Sequence, residues 1–221
     1  MSLAVPALKI DIVSDVSCPW CAIGLSGLLQ AIAQLQGEVD VTLHCQPFEL
    51  NPKMGPGGQD IGEHLTEKYG SSPEQQAQIR DMIRARGAAV GFEFNADGRG
   101  RIYNTFDAHR LLLWAAQVGK QDVLLENLYS AYFEKSEPVF THSDLLTIAL
   151  RAGLVESDVV KLLQSDEYGE QVKADQELAS QLGANGVPFF VFDMKYGISG
   201  AQPQVVFNQT LATSLSEYQA N

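Results

Sequence analysis

The sequence has few cysteines and no long hydrophobic segment, and these absences exclude several classes of protein. Three cysteines in 221 residues are too few for the disulfide framework of a small secreted domain. No segment approaches the roughly 18 apolar residues that a membrane-spanning helix needs. The amino terminus also lacks the basic leader and apolar core of a secretory signal, so we expect a cytoplasmic protein.

Basic side chains are scarce as well. The chain has 15 Lys and Arg against 27 Asp and Glu, which gives a net charge of −12. Such a surface repels phosphate backbones and anionic lipids, so we predict no nucleic-acid partner and no membrane partner. The apolar fraction of 45% is ordinary for a soluble globular protein. The oligomeric state cannot be read from the sequence.

The two ends of the chain have the hydrophobic patterns of β-strands. Alternating apolar residues predict strands at 8–15 and 39–50, and helical spacing follows Pro19, a residue favoured at the first position of a helix. A strand, a helix and a strand in this order favour a parallel pair with a right-handed crossover. Strand character returns at 187–200, with a turn at 193–197, and the chain closes with an amphipathic helix.

The middle of the chain is helical. Seven helical patterns follow one another at 61–70, 73–90, 105–118, 121–135, 143–152, 156–163 and 169–182. The order β-α-β, then helices, then β-β-α predicts an α/β protein with a thioredoxin-like fold that carries a large all-α insertion. We place the thioredoxin-like domain at 1–52 and 184–221, and the helical insertion domain at 53–183.

The sequence Cys-Pro-Trp-Cys at residues 18–21 lies where the first strand meets the first helix. Two cysteines at this spacing can hold a metal, form a structural disulfide bond or exchange electrons. A structural zinc site usually needs four ligands. The only other soft ligands nearby in the sequence are His44 and Cys45, and adjacent residues of a strand point to opposite faces. We therefore predict no metal site.

The redox interpretation has a physical cause. Cys18 would lie at a helix N-terminus, where free N–H groups and the helix dipole favour a thiolate. Cys21 lies one turn further along and can attack a mixed disulfide on Cys18 to release the product. We predict that Cys18 is the nucleophile and Cys21 the resolving thiol. The third cysteine, Cys45, alternates with apolar residues of a strand and is predicted to be a core residue.

A proline near the end of the chain supports this interpretation. Pro188 comes immediately before the apolar run "FFVF", where a trans proline would be unexpected in a central strand. A cis bond between Val187 and Pro188 is the alternative, although cis X–Pro bonds are uncommon.

Several segments in combination resemble one family. These are "CPWC", "FELNP" after the second strand, the helix "NTFDAHRLLLWA" and "GVPFFVF…ISGAQP" near the end. They are similar to the DsbA family of thioredoxin-fold dithiol–disulfide oxidoreductases, and most of all to its FrnE-like branch, which is associated with polyketide biosynthesis. The resemblance implies that Cys18 attacks and Cys21 resolves. It also implies that Pro188 is a cis-proline facing them, and that Val187 offers backbone hydrogen bonds to substrate.

The sequence departs from the thioredoxin pattern at one position. Thioredoxin-like proteins often have a buried acid six residues before the first cysteine, as a proton acceptor for the second, but Ile12 occupies that position here. Asp15 lies nearer and is expected to be a loop or cap residue, so the proton acceptor for Cys21 stays open.

Three further residues are candidates for the substrate-binding surface beside Val187. Pro19 and Trp20 lie between the two cysteines, and Trp20 is expected to shape the cleft. His109 should face inward from its helix, as a hydrogen-bonded structural histidine or as a group that stabilises a thiolate.

These residues predict a thiol–disulfide oxidoreductase or isomerase. The cysteine pair would be its only redox group, its partners would be protein or small-molecule thiols and disulfides, and glutathione would be a candidate co-substrate. The alternative is a glutathione-dependent enzyme of the 2-hydroxychromene-2-carboxylate isomerase or kappa-class transferase type, in which a serine commonly replaces the first cysteine. A third hypothesis is a peptide-binding module or chaperone that does not need its cysteines. The direction of exchange cannot be read from the sequence.

Overall fold

The structure is a computed structural model that describes residues 6–35 and 37–220, with the side chains of 218–220 outside the description. Its main sheet has four strands in the order β2-β1-β5-β6. The strands are β1 (Ala7–Ser14), β2 (Asp40–Pro47), β5 (Phe189–Phe192) and β6 (Tyr196–Ser199). β1 pairs in parallel with β2 and antiparallel with β5, and β6 is antiparallel to β5. The predicted parallel pair and the predicted terminal hairpin are both confirmed.

Nine helices surround this sheet within the described residues, and most of their bounds lie within one or two residues of the predicted ones. They are α1 (Pro19–Ala33), α2 (Ile61–Tyr69), α3 (Pro73–Ala88), α4 (Phe106–Gln117), α5 (Gln121–Tyr129), α6 (His142–Arg151), α7 (Glu156–Leu163), α8 (Gly169–Gln181) and α9 (Gln204–Ala220). The pattern at 121–135 divides into α5 and a π-helical turn, Ser130–Glu134.

The central segment also contains a short two-stranded ribbon. It pairs β3 (Gln59–Asp60) with β4 (Arg101–Ile102) in antiparallel fashion. The sequence predicted only loops here, because a strand of two residues is too short to show an alternating pattern. The insertion is therefore mainly, but not purely, helical.

The helical segment and the sheet share one hydrophobic core. Ile10 and Phe190 of the sheet belong to the same buried cluster as Leu111 of α4 and Leu128 of α5. A side chain of α5 also covers the edge of the sheet, because the Gln121 amide accepts from the N–H of Cys45 at 2.8 Å and donates to its C=O at 3.0 Å. The division at 1–52, 53–183 and 184–221 stays a prediction, and it includes residues 1–5, 36 and 221, which lie outside the described residues.

The close approach of α1 to the sheet depends on Gly24. A Cβ atom at this position would lie 2.9 Å from Cζ of Phe190 and 3.1 Å from Cγ of Pro188. Both distances are shorter than ordinary van der Waals contacts, and the neighbours belong to the packed core. Glycine is disfavoured inside a helix, so its presence here is explained by this contact.

We therefore expect Gly24→Ala to lower the free energy of unfolding by about 1–3 kcal/mol, as overpacking of a core does. Gly27, three residues along the same helix, is a matched control, because a Cβ there would meet its nearest neighbours at 3.6 Å. Gly27→Ala should be neutral or stabilising by up to about 1 kcal/mol through helix propensity. Urea denaturation of the two variants checks this, and equal stability of both would contradict the packing explanation.

No helix within residues 6–35 and 37–220 is long and apolar enough to cross a membrane. In the same residues, no group of three or more His, Cys, Asp and Glu side chains is arranged to hold a metal ion.

Candidate active site

The two cysteines of the CPWC motif lie at the start of α1. Cys18 is the N-cap residue, with extended backbone angles, and Pro19 is the first residue of the helix. The N–H of Cys18 donates to the Asp15 carbonyl at 3.0 Å, and the N–H of Cys21 donates to the Cys18 carbonyl at 3.1 Å. Both thiols are free and buried, with exposed fractions of 4% and 1%. The predicted position of Cys18 at the helix N-terminus is confirmed.

The environment drives the pKa values of the two thiols apart. A hydrogen bond from the Cys21 thiol lowers the pKa of Cys18, and backbone N–H groups at the helix start act in the same direction, against the effect of burial. Burial raises the pKa of Cys21 well above the usual range, and the neighbouring Cys18 raises it further. The pair therefore favours a thiolate on Cys18 and a protonated Cys21.

The proline loop before β5 lies directly against the first cysteine. The Val187–Pro188 peptide bond is cis, which confirms the prediction. Sγ of Cys18 lies 3.8 Å from the Val187 carbonyl oxygen, to which the thiol donates. The fold thus brings together two segments that are 169 residues apart in the sequence.

Trp20 forms part of the surface beside the cysteines. Trp20 is half-buried and packs against the main core. The guanidinium carbon of Arg86, on α3, lies 6.0 Å from the centre of its indole ring, and Arg86 also donates to the Ala201 carbonyl at 2.8 Å. Residues from α1, α3 and the segment after β6 therefore meet around Trp20.

Asp15 lies in the loop after β1, as predicted, but its side chain is fully buried. Its carboxylate accepts from the N–H of Ser17 at 2.9 Å and from the N–H of Leu50 at 2.6 Å. It thus joins the CPWC loop to the segment that follows β2. Its negative charge also raises the pKa values of Cys18 and Cys21. Asp15 is the buried acid of this site, three residues before the first cysteine.

His109 of α4 faces inward, as predicted, with only 1% of its surface exposed. Its Nε2 atom lies 3.9 Å from Oδ1 of Asp15, which is beyond hydrogen-bonding distance. Within the described residues neither ring nitrogen makes a hydrogen bond of ordinary geometry, although the main chain of Phe48 is near enough to affect the ring, so the hydrogen-bonded structural histidine stays a prediction. Burial lowers the pKa of His109, and the Asp15 charge and the polar main chain of Phe48 offset this only in part. The imidazole is therefore neutral at pH 7.

Cys45 is separate from the redox pair. It is 5% exposed, its Sγ lies 3.2 Å from Oγ of Ser14, and burial raises its pKa to about 11. In the sheet Cys45 pairs with the core residue Ile12, whereas His44 pairs with Asp11. The predictions that Cys45 is a core residue and that His44 lies on the opposite face are both confirmed.

Residues 9–212 match the model of the DSBA-like thioredoxin domain. The chain belongs to this DsbA-like family. The match covers both cysteines, the cis-proline and the whole helical segment, so the fold and the family expected from the sequence are confirmed.

Solved structures of this family and fold superpose over almost the full length of the DsbA-like chain. The probable DsbA oxidoreductase SCO1869 from Streptomyces coelicolor has a TM-score of 0.89 and 38% identity, covering 95% of this chain and 91% of its own. A 2-hydroxychromene-2-carboxylate isomerase has a TM-score of 0.67 and 14% identity, covering 96% and 98%. The cytosolic disulfide reductase DsbM from Pseudomonas aeruginosa, with GSH, has a TM-score of 0.63 and 21% identity, covering 94% and 99%.

Sequence reasoning missed one residue that contacts the active-site loop of this DsbA-like chain. Arg99 donates from its guanidinium to the Ser17 carbonyl, next to Cys18. The guanidinium also lies 5.2 Å from the ring centre of Tyr132 and 5.3 Å from that of Phe133. Arg99 comes from the glycine-rich segment "GRGR", which carried no signal beyond that of a polar turn.

Proposed function

We propose that the protein is a thiol–disulfide oxidoreductase in which Cys18 is the nucleophile and Cys21 the resolving thiol. The observation that carries this proposal is the opposite shift of the two pKa values at one helix start, with Cys18 against the carbonyl before the cis-proline. A thiol–disulfide exchange needs one sulfur that is ionised and acts as the nucleophile, and a second that stays protonated until it is used.

The reaction on a disulfide substrate has two steps. The Cys18 thiolate attacks one substrate sulfur, so a Cys18–substrate disulfide forms and the other substrate sulfur leaves as a thiolate. Cys21 then loses its proton and attacks Sγ of Cys18, which releases the second substrate sulfur and leaves a Cys18–Cys21 disulfide. The substrate gains two electrons and the protein loses two. The reverse sequence reduces the protein and oxidises two thiols.

Asp15 is the group we propose as acceptor of the Cys21 proton. It is buried, and its negative charge raises the pKa values of both thiols. Its carboxylate accepts hydrogen bonds from two main-chain N–H groups. The neutral imidazole of His109 lies next to Asp15, with Nε2 at 3.9 Å from Oδ1 of the carboxylate. A base within the site lets the resolving step proceed at a pH far below the pKa of Cys21.

The surface around Cys18 is the proposed substrate-binding region. Val187 would offer its backbone to a bound peptide or thiol, and Pro19 and Trp20 would form the rim beside the reactive sulfur. The partners would be protein or small-molecule thiols and disulfides, with the cysteine pair as the only redox group and glutathione as a co-substrate. A cytoplasmic location and the use of glutathione both gain support from the likeness to DsbM, which is described as cytosolic and was solved with GSH.

A glutathione-dependent isomerase is the second candidate. The similarity to 2-hydroxychromene-2-carboxylate isomerase favours it at the level of the fold. The presence of both cysteines favours exchange, because an isomerase that only binds a thiol does not need a resolving cysteine.

A redox titration of Cys18 and Cys21 against glutathione tests the proposal. We expect a reversible two-electron transition, seen by thiol trapping and mass spectrometry, whose midpoint gives the direction of exchange. In a Cys21→Ala variant we expect a glutathione adduct on Cys18 to accumulate, because the resolving thiol is missing. If no disulfide forms between the two cysteines at any redox poise, the exchange mechanism is refuted and the isomerase becomes the leading function.

A further inference from the structure

A pocket of about 190 Å³ lies beside the active-site loop, between β4 and the segment after the π-helical turn. Its walls are formed by two arginines, two tyrosines and a short polar turn: Arg99, Arg101, Tyr103, Tyr132, Ser136 and Glu137. Its link to the active site is direct, because Arg99 donates to the carbonyl of Ser17. Nothing in the proposed exchange steps uses this pocket.

The charges of the pocket favour an anion. The guanidinium groups of Arg99 and Arg101 contact main-chain carbonyls and aromatic rings, and within the described residues neither lies in ion-pair range of a carboxylate. The one carboxylate in the wall, Glu137, is paired with Arg151. Two such cations together are notable in a chain with 27 acidic and 15 basic side chains.

The arginines are held in place by their neighbours. Arg99 lies over the rings of Tyr132 and Phe133, and Arg101 donates to the carbonyls of Gly57 and Gly58 at 3.0 and 3.1 Å. Fixed guanidinium groups lose little conformational entropy when they bind an anion, and their remaining N–H groups suit the planar geometry of a carboxylate. The small volume suits a terminal carboxylate of a small molecule rather than a folded segment.

We propose that this pocket binds the carboxylate of a low-molecular-weight thiol or disulfide that exchanges with Cys18. This inference rests on the proposed exchange function and adds the substrate class. In the reducing direction, the bound thiolate attacks Sγ of Cys18 in the Cys18–Cys21 disulfide, and Cys21 leaves and takes up a proton. A second thiol attacks the mixed disulfide, so that two thiols become one disulfide and the protein gains two electrons.

The test compares two reductants that have the same thiol and differ in charge. The oxidised full-length protein is reduced by glutathione or by its diethyl ester, and the rates are followed by thiol trapping. We expect glutathione to react about tenfold faster, as charge-assisted hydrogen bonds to a carboxylate imply. The net charge of −12 would by itself disfavour the anion, so this preference would identify a local cationic site.

Two variants locate the preference. Arg101→Gln should reduce it to less than about threefold, since one guanidinium is lost, while the rate with the ester stays unchanged and shows that the cysteine pair is intact. Arg84→Gln removes the same charge from an arginine of α3 that pairs with Asp81, and it should keep the full preference. The inference is overturned if wild type shows no preference, if Arg101→Gln retains it, or if Arg84→Gln loses it equally. Failure of both reductants would instead refute the exchange function.

Discussion

Replacing Cys18 with serine is expected to slow thiol–disulfide exchange by about 10³-fold or more, because a hydroxyl is not ionised at neutral pH and cannot form a disulfide. The measurement is the rate at which the reduced protein exchanges with a small neutral disulfide. Cys45→Ala is the matched control, since Cys45 is buried, has a pKa of about 11 and lies outside the pair. It should leave the rate within about twofold. Substantial exchange by Cys18→Ser would show that a cysteine other than Cys18 is the nucleophile.

The pH dependence of alkylation provides an independent check on Cys18. Because its pKa is lowered, the thiolate persists at pH values below the range of an ordinary thiol, so iodoacetamide should modify Cys18 near neutral pH. By linkage, the reduced protein gains stability from this thiolate above the ordinary thiol pKa and loses it as the pH falls through the lowered pKa of Cys18. An alkylation midpoint at or above the ordinary range would contradict this.

Asp15→Asn is expected to slow the resolving step by about 10²-fold at neutral pH, the effect of losing a positioned base. The mixed disulfide between Cys18 and substrate should therefore accumulate, which stopped-flow trapping and mass spectrometry can measure. Removal of the negative charge also lowers the pKa of Cys21, but burial and Cys18 affect that pKa more than Asp15 does. The loss of the proton acceptor should therefore dominate. The deficit should shrink as the pH rises toward the pKa of Cys21, where no base is needed.

Asp11→Asn separates this role from a structural one. Asp11 is also a buried acid, four residues earlier on β1, and it contacts Lys9, His44 and Gln46. Both substitutions should lower the free energy of unfolding by about 1–3 kcal/mol, since each leaves buried hydrogen-bonding groups poorly matched. Only Asp15→Asn should change the decay of the mixed disulfide and its pH profile. If the mixed disulfide decays equally slowly in both variants, the role of Asp15 is structural and it is not the proton acceptor.

The parts of this structure that the sequence predicted are those that depend on local pattern. The helix 156–163 has the predicted bounds, and the start of α1 at Pro19 follows from the preference of proline for that position. The burial of Asp15 could not be predicted in this way, because its partner Leu50 is 35 residues away. Arg99 and Ser17 are 82 residues apart, and the glycines around Arg99 indicate only a turn.

His109 shows another limit of prediction from the sequence. Its helical spacing placed it on the inner face, but the spacing could not reveal that its ring nitrogens would make no hydrogen bond of ordinary geometry there. Whether a buried polar atom is satisfied depends on the positions of all the neighbouring elements, which no local pattern contains.

The contact of Gln121 with Cys45 has a consequence for any attempt to make a smaller version of this protein. β2 forms one side of the sheet, and a side chain of α5 occupies the N–H and C=O of its Cys45. Excising the helices would leave that strand with bare main-chain groups, which are a template for pairing with a second molecule. We therefore expect a minimal redox domain cut from this chain to self-associate through β2 unless another group occupies the main chain of Cys45.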